Sequence, residues 1–378
     1  MKRYTFFATC APGIEPILHG EIKSAGFSKS ERQVGGVRFE GTMRDAWKAN
    51  LWLRTAVRVL RRESRFEAAA EGELDRGVAG VDWSRFLRPD GTLWIDAQAK
   101  ESVLDHTQFL AQRVKDGIVD QVRAEDGTRP AVDRETADVR VHLHLYRDRA
   151  TLSVDTSGAS LHRRGWRTAQ GRAPLAENLA AAVVLQSGWD RRSPLIDPFC
   201  GTGTLLIEGA MIAANAAPGL TRKRFGFETW ADHDPAGCEA ARREAEAQVK
   251  IPRKLRLVGS DESNNRIAEA EAHLAGHPFL EGLSEWASFE RRAAEDFAPR
   301  PGWNGMVVSN MPYGERVGEN VEPLHDHFGE RLRTLSGYSV SLLTGSSHLA
   351  GLLRLSNATR TRVLNGGIEC QLVTAQIP

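Results

Sequence analysis

The sequence predicts an α/β protein: a doubly wound parallel sheet with an antiparallel hairpin at one edge, preceded by smaller α+β units. Three observations predict it. From about residue 173 onward, helical and strand patterns alternate, as they do where crossover helices join parallel strands. Before that point, short strands and amphipathic helices mix without this regular alternation. Near the C-terminus, Gly366-Gly367 separates two strand-like runs, a hairpin signal. With 378 residues the chain exceeds what one core usually spans, so two or three domains are expected.

The elements follow in order. Residues 4–9 (Tyr-Thr-Phe-Phe-Ala-Thr) predict a strand, and Ala11-Pro12-Gly13 a turn. Residues 14–25 place Ile14, Ile17, Leu18 and Ile22 at helical spacing, and Gly26 ends that helix. Residues 37–41 predict a strand and 45–53 a second helix, a β-α-β-α start. Residues 93–97 predict the next strand. Residues 106–122 predict an amphipathic helix with Phe109, Val114, Ile118 and Val122 on one face. Residues 139–145 alternate apolar side chains with Arg140, His142 and His144, a half-exposed strand with both histidines at the surface. That strand pairs with 150–155 across Tyr146-Arg147-Asp148-Arg149. The Gly- and Arg-rich segment 157–172 reads as a linker. Beyond it, helices are expected at 176–185, 204–214, 235–249 and up to about residue 274. Strands are expected at 195–197, 255–261, 287–292, 305–310 and 338–344, with the hairpin at 362–373. No internal repeat or low-complexity tract interrupts the pattern.

Composition removes several classes. Hydrophobic residues are 41% and charged residues 26%, ordinary globular values that exclude a largely disordered chain. A net charge of +1 excludes a globally basic nucleic-acid binder, so any such contact must come from local patches. Four scattered cysteines (Cys10, Cys200, Cys238, Cys370) with no C-x-x-C pair argue against a zinc site or a disulfide framework, and no metal is expected. No apolar run approaches the ~20 residues that span a bilayer, and Glu15 and His19 break any signal-peptide core. A cytoplasmic protein with no membrane partner is therefore expected.

Two turns carry chemistry. Asp197-Pro198-Phe199-Cys200-Gly201-Thr202-Gly203 follows a short apolar strand and opens a helix. Gly201 and Gly203 let a ligand approach the backbone, and Asp197 sits where open α/β sheets bind ligands. There is neither a G-x-x-x-x-G-K-[ST] loop nor G-x-G-x-x-G spacing, which disfavours a P-loop or a dinucleotide site. Asp261 ends the next strand; its carboxylate can accept from ribose hydroxyls, or equally cap the helix that follows. The second turn is Asn310-Met311-Pro312-Tyr313. The Asn310 side-chain carbonyl and the Met311 backbone carbonyl can accept both N–H bonds of an exocyclic amine. Pro312 fixes the turn and Tyr313 can stack on the ring. Together the turns point to methyl transfer from S-adenosylmethionine to an exocyclic amine, a reaction of positioning and electrostatics. The target base must be unpaired or flipped out. His325 and His327, at i, i+2 in a helix, are wrongly spaced to share a metal. Basic clusters occur at Arg61-Arg62, at Arg222-Lys223-Arg224, and at Arg163-Arg164 with Arg167 and Arg172. Such clusters are more often solvated faces. The stretch 161–167 (Leu-His-Arg-Arg-Gly-Trp-Arg), with its interleaved Trp166, is the best candidate for RNA phosphates, through Arg163, Arg164 and Arg167.

At these motifs the chain resembles the THUMP-domain RNA methyltransferases that make N2-methylguanosine, in particular the N-terminal half of the bacterial enzymes acting on large-subunit ribosomal RNA. The matching stretches are 7–15, 34–39, 108–120, 130–134, 138–141, 155–158, 161–167, 173–182, 197–208 and 310–316, in one order along nearly the whole chain. The family usually has Asn-Pro-Pro-Tyr where this chain has Met311. It also often has a carboxylate at the end of the third strand for the adenine amine, where Ala293 stands here, with Glu295 and Asp296 just downstream. The resemblance implies a ferredoxin-like domain (1–60), a THUMP RNA-binding domain (61–156), the linker (157–172) and a Rossmann-like methyltransferase domain (173–378). It implies S-adenosyl-L-methionine at Asp197, Pro198, Cys200, Gly201, Gly203, Asp261 and Asn310, and the target guanine at Asn310, Met311, Pro312 and Tyr313. The expected activity is methylation of guanosine N2 in RNA, with 23S ribosomal RNA first and transfer RNA second. Fused relatives carry a second methyltransferase domain, so a single activity is expected of these residues. Adenine-N6 methylation of DNA and an inactive RNA-binding protein are the alternatives; no oligomeric state is implied.

Overall fold

The N-terminal 155 residues build one continuous eight-stranded sheet rather than two separate ones. The computed structural model describes residues 2–167, 175–300, 302–313 and 321–378, so Arg172 and the end of the second motif, Gly314 to Arg316, lie outside the described residues. The first unit comprises β1 (Tyr4–Thr9), α1 (Glu15–Ser24), β2 (Ser28–Gln33), β3 (Gly36–Gly41) and α2 (Met43–Trp52). The second comprises β4 (Arg58–Glu67), α3 (Glu71–Ala79), β5 (Thr92–Lys100), α4 (Thr107–Val122), β6 (Ala131–Val132), β7 (Val139–Tyr146) and β8 (Arg149–Asp155). The strand order is β2-β3-β1-β4-β8-β7-β5-β6, and β4 joins the units by pairing with β1 on one side and β8 on the other.

Local chemistry explains most of these elements. Thr42 and Asp45 form a reciprocal capping box that starts α2. Gly26, at φ +78°, follows the end of α1. In α4 the buried stripe is Leu110, Val114, Ile118 and Val122; Phe109, expected inside, is exposed, a shift of one position. Three elements left little trace in the sequence. The edge strand β2 (Ser-Lys-Ser-Glu-Arg-Gln) is mostly exposed and has no apolar alternation, and α3 buries only Leu74 and Val78. In β4 the Arg61 guanidinium turns inward, 2.5 Å from Glu63 and 4.5–4.8 Å from the rings of Tyr4, Phe86 and Trp230. A charge can be buried there because a carboxylate and three aromatic faces receive it. Arg61 is therefore a core residue and not a phosphate contact.

The C-terminal lobe begins with α5 (Glu177–Gln186), β9 (Leu195–Asp197), α6 (Thr204–Ala213), α7 (Pro235–Glu246) and β10 (Leu257–Asp261). It continues through α8 (Asn264–Ala275), α9 (Pro278–Glu281), β11 (Ala287–Arg291) and β12 (Met306–Asn310). It ends with α10 (Glu322–Arg333), β13 (Ser339–Thr344), α11 (Ser347–Leu352), β14 (Thr359–Asn365) and β15 (Ile368–Gln376). The order is β11-β10-β9-β12-β13-β15-β14. Five parallel strands are followed by β15, antiparallel to both β13 and β14. The hairpin thus inserts its second strand into the sheet and leaves its first at the edge. The Rossmann-like α/β class holds, and strand order reverses at β9, the position where such sheets open a crevice for ligands.

The lobes are joined by polar groups buried between them. Arg164, 1% exposed, donates Nε to Glu208 on α6 (3.1 Å), Nη1 to the Leu161 carbonyl (2.8 Å) and Nη2 to the Arg54 carbonyl (2.5 Å). Arg222 donates to the carbonyls of Ser157, Ala159, Ser160 and Arg163. Neither guanidinium is available to phosphate, which corrects the expectation for Arg164; in the Arg222-Lys223-Arg224 cluster, Lys223 and Arg224 stay exposed. The segment that reads as a linker is, over residues 157–167, a bracket fixed to both lobes.

Candidate active site

The turn after β9 is shaped by its glycines and tied to its neighbours. Asp197 is 1% exposed; its Oδ1 accepts from Phe199 N (3.1 Å) and from the Ser309 hydroxyl on β12 (2.6 Å). Burial, with the nearby Asp261 charge adding to it, pushes the Asp197 carboxyl up to about 7. Gly201 has φ +52° and nothing within 4 Å of where a Cβ would stand, so the backbone there is open to a ligand. Gly203, at φ +79°, is the N-cap of α6, and a methyl there would press on Ala270 and Phe289. Pro198 and Cys200 are buried in the turn, and Cys200 N donates to the Ser260 carbonyl (2.9 Å).

Asp261, at the end of β10, does two local jobs: Oδ2 accepts from Gly201 N (3.1 Å) and Oδ1 from Ser263 N (3.0 Å). Ser263, not Asp261, is the N-cap residue of α8. Arg167 closes the other side of the turn. It donates to Glu177 Oε1 (2.7 Å), the Leu175 carbonyl (3.0 Å) and the hydroxyls of Thr204 (3.0 Å) and Thr202 (3.4 Å). The His273 ring donates to the Thr202 carbonyl (3.2 Å). Arg167 thus clamps the turn, and its expected contact with RNA is corrected: its donors are committed inside the protein. Of the three arginines, Arg163 alone is exposed.

The second turn leaves β12, which pairs with β9, so both turns open at one sheet edge. Asn310 Oδ1 is buried and has no hydrogen-bond partner among the described residues. An unmet buried acceptor is costly unless a ligand completes it. Met311 is 1% exposed and packs in the core with Ile196 and Phe328; its N–H donates to the Leu343 carbonyl (3.0 Å). Proline has no N–H, so where the family has a ring to stiffen the turn, this chain has a bond to β13. The Tyr313 hydroxyl accepts from Asn365 Nδ2 (2.6 Å), and the absence of a side chain at Gly345 makes room for the tyrosine. Sequence reasoning missed Ser309, Glu177, His273 and Asn365. Glu177 and Ser309 lay within or beside the motifs without a role assigned to them; His273 and Asn365 act across long separations and carry no local signal. At the end of β11, Ala293 precedes a turn of 3-10 helix, Ala294–Asp296.

Comparison with known proteins adds the following. Residues 164–374 match the RMKL-like methyltransferase domain, residues 5–60 the RlmL ferredoxin-like domain and residues 68–155 the THUMP domain. A relative named ribosomal RNA large subunit methyltransferase K/L, from Methylococcus capsulatus, is 41% identical over 377 residues, covering 97% of this chain and 50% of its own. The chain spans about half the length of the curated relatives it matches. The structure of SMU.472, a methyltransferase complexed with SAH, superposes with a TM-score of 0.88 at 29% identity, covering 100% of this chain and 99% of its own. A structure described as a predicted N6-adenine-specific DNA methylase from Listeria monocytogenes gives 0.87 at 31% identity, covering 100% and 97%. Among the described residues no helix is long and apolar enough to cross a membrane. Nor does any group of three or more His, Cys, Asp or Glu among them stand ready to hold a metal.

Proposed function

The chain belongs to the RMKL-like methyltransferase-domain family, and from that premise we propose that it methylates the exocyclic N2 of a guanosine in RNA, 23S ribosomal RNA first, using S-adenosyl-L-methionine. The observation that carries the reading is the unmet buried Oδ1 of Asn310, beside a Gly-rich turn to which Ser309 binds it through Asp197.

The residues present fit the cofactor. Gly201 leaves open space at the backbone, and the carboxyls of Asp197 and Asp261 end adjacent strands. Asp197, Pro198, Cys200, Gly201 and Gly203 would hold it, with Asp261 toward the ribose and Asn310 on the target side. When bound, S-adenosylmethionine supplies an electrophilic methyl group on its sulfonium. The protein's part is to prepare the amine. The lone pair of a guanine N2 amine is delocalised into the ring, so the amine is a weak nucleophile. Asn310 Oδ1 and the Met311 carbonyl accept its two N–H bonds and draw the lone pair out of conjugation with the ring. The Tyr313 ring stacks on the base. The residues matching the THUMP domain would bind RNA, and Arg163 is the remaining phosphate contact of the 161–167 stretch. The protein is read as cytoplasmic, without metal or membrane partner.

The test is transfer of labelled methyl groups to protein-free ribosomal RNA, transfer RNA and duplex DNA in parallel, with nucleoside analysis. N2-methylguanosine in ribosomal RNA alone is expected. Label in transfer RNA, or N6-methyladenine in DNA, would overturn the substrate. Cofactor binding without label in any of them would instead identify an inactive RNA-binding protein.

A further inference from the structure

The edge strand β14 is met on its outer side, at Arg362 to Leu364, by the N-terminal lobe. Leu364 N donates to the Pro12 carbonyl (3.2 Å). Gly13 lies directly against the Arg362 carbonyl and Val363 Cα, at φ +92°, so any side chain there would both strain the backbone and push β14 away. Glu15 fixes this turn, accepting from Gly13 N (2.8 Å) and Gly35 N (3.1 Å). Two residues beyond Leu364, the chain turns through Gly366 (φ +57°) and Gly367 (φ +90°). Two successive positive φ values make the tight hairpin turn that fixes the register Asn365↔Ile368. Asn365 is thereby held at the last paired position of β14. From there its amide donates to the Tyr313 hydroxyl at 2.6 Å.

We propose that Asn365 is a positioning residue for Tyr313, and that the docking of the Pro12-Gly13 turn on β14 sets the position of the target-stacking ring from the N-terminal lobe. The inference rests on the reading above that Tyr313 meets the target base. A tyrosine fixed only at its backbone keeps freedom about χ1; a bond at the para hydroxyl, which lies on the ring's long axis, fixes where the ring points without touching the stacking face. Burial pushes the phenol well above its usual range, so Tyr313 stays neutral and its hydroxyl serves as an anchor, not an acid or base. A hairpin that served only to close the sheet would not need its turn residue to reach another loop 52 positions away.

The experiment is a double-mutant cycle on the full chain, with Asn365→Ala, Tyr313→Phe and the pair, read as KM for RNA, single-turnover rate and calorimetric affinity for S-adenosylhomocysteine. Each single variant should lower kcat/KM for RNA by roughly ten-fold, as for a misaligned reactant, with cofactor affinity unchanged. The pair should be no worse than either single, because both remove one bond. Gly13→Val should add a loss that disappears in the Asn365→Ala background; if that variant does not fold, the cycle still decides. Tyr313→Ala separates the two layers of the argument. Normal turnover in Tyr313→Ala would remove the target-site reading itself. A large loss in Tyr313→Ala, with wild-type behaviour or strictly additive losses in Asn365→Ala and Tyr313→Phe, would overturn the positioning role alone.

Discussion

The turns after β9 and β12 end adjacent strands of one sheet, yet they are held in opposite ways. The first supports its shape from close by. Asp197 takes Phe199 N, Asp261 takes Gly201 N, and Arg167 and His273 pin Thr202 from the sides. Among the described residues, the second is fixed by Met311 N on β13 and by the Tyr313 hydroxyl on β14, and it keeps one buried acceptor, Asn310 Oδ1, unmet. Under the proposed function, the difference follows from what each must do. A turn that receives the same ligand every cycle can satisfy its own polar groups. A turn that must grip an amine cannot satisfy the acceptor that does the gripping, so its rigidity has to come from elsewhere.

Removing supports one at a time sharpens the contrast. The largest effect is expected from Arg164→Met, which leaves Glu208 buried without its partner beneath the first turn. Unfolding by denaturant should show a loss of about 3–5 kcal/mol, as for a broken buried ion pair. Exposed Arg163→Ala should stay within about 0.5 kcal/mol. Next comes Arg167→Ala, which should weaken S-adenosylhomocysteine binding by roughly ten-fold, about one lost charged hydrogen bond, because Thr202 and Thr204 lose their clamp. Unchanged affinity would show that the first turn needs no lateral support. A pH effect follows. The Asp197 carboxyl is raised in the fold, to about 7, so the folded state holds its proton more tightly than the unfolded chain. Its contribution to stability is present in full below about pH 4 and is lost as pH rises through about 7. Thermal melts of the ligand-free protein should show this slope, and Asp197→Asn should remove it. The smallest effect belongs to Met311→Pro. It exchanges one hydrogen bond for ring stiffness and should shift stability by no more than about 1 kcal/mol, with activity retained.

The same contrast explains what could be read from the sequence. The first turn was legible because its determinants are consecutive: an apolar strand, Asp197, Gly201 and Gly203, then a helix. The alternating strands of the C-terminal lobe were legible for the same reason, and so was the Gly366-Gly367 hairpin. The supports of the second turn were not. Asn365 and Ser309 are ordinary strand residues until the sheet places them beside Tyr313 and Asp197. The arginines misled because a sequence shows charge but not direction. Arg61 turns inward onto rings, Arg164 onto a carboxylate and Arg222 onto carbonyls, each supplied by distant segments. The continuous N-terminal sheet was hidden for a related reason: β4 mixes buried and exposed arginines, and a register shift between Arg62 and Ser64 breaks its alternation.

The most direct test of the account is Asn310→Ala, measured by calorimetric binding of S-adenosylhomocysteine and by single-turnover methyl transfer to ribosomal RNA. The account predicts cofactor affinity close to wild type and a transfer rate lower by roughly 10²-fold or more, as for other lost transition-state hydrogen bonds. Transfer at the wild-type rate would contradict it, because the unmet acceptor at the end of β12 would then have no part in gripping the amine.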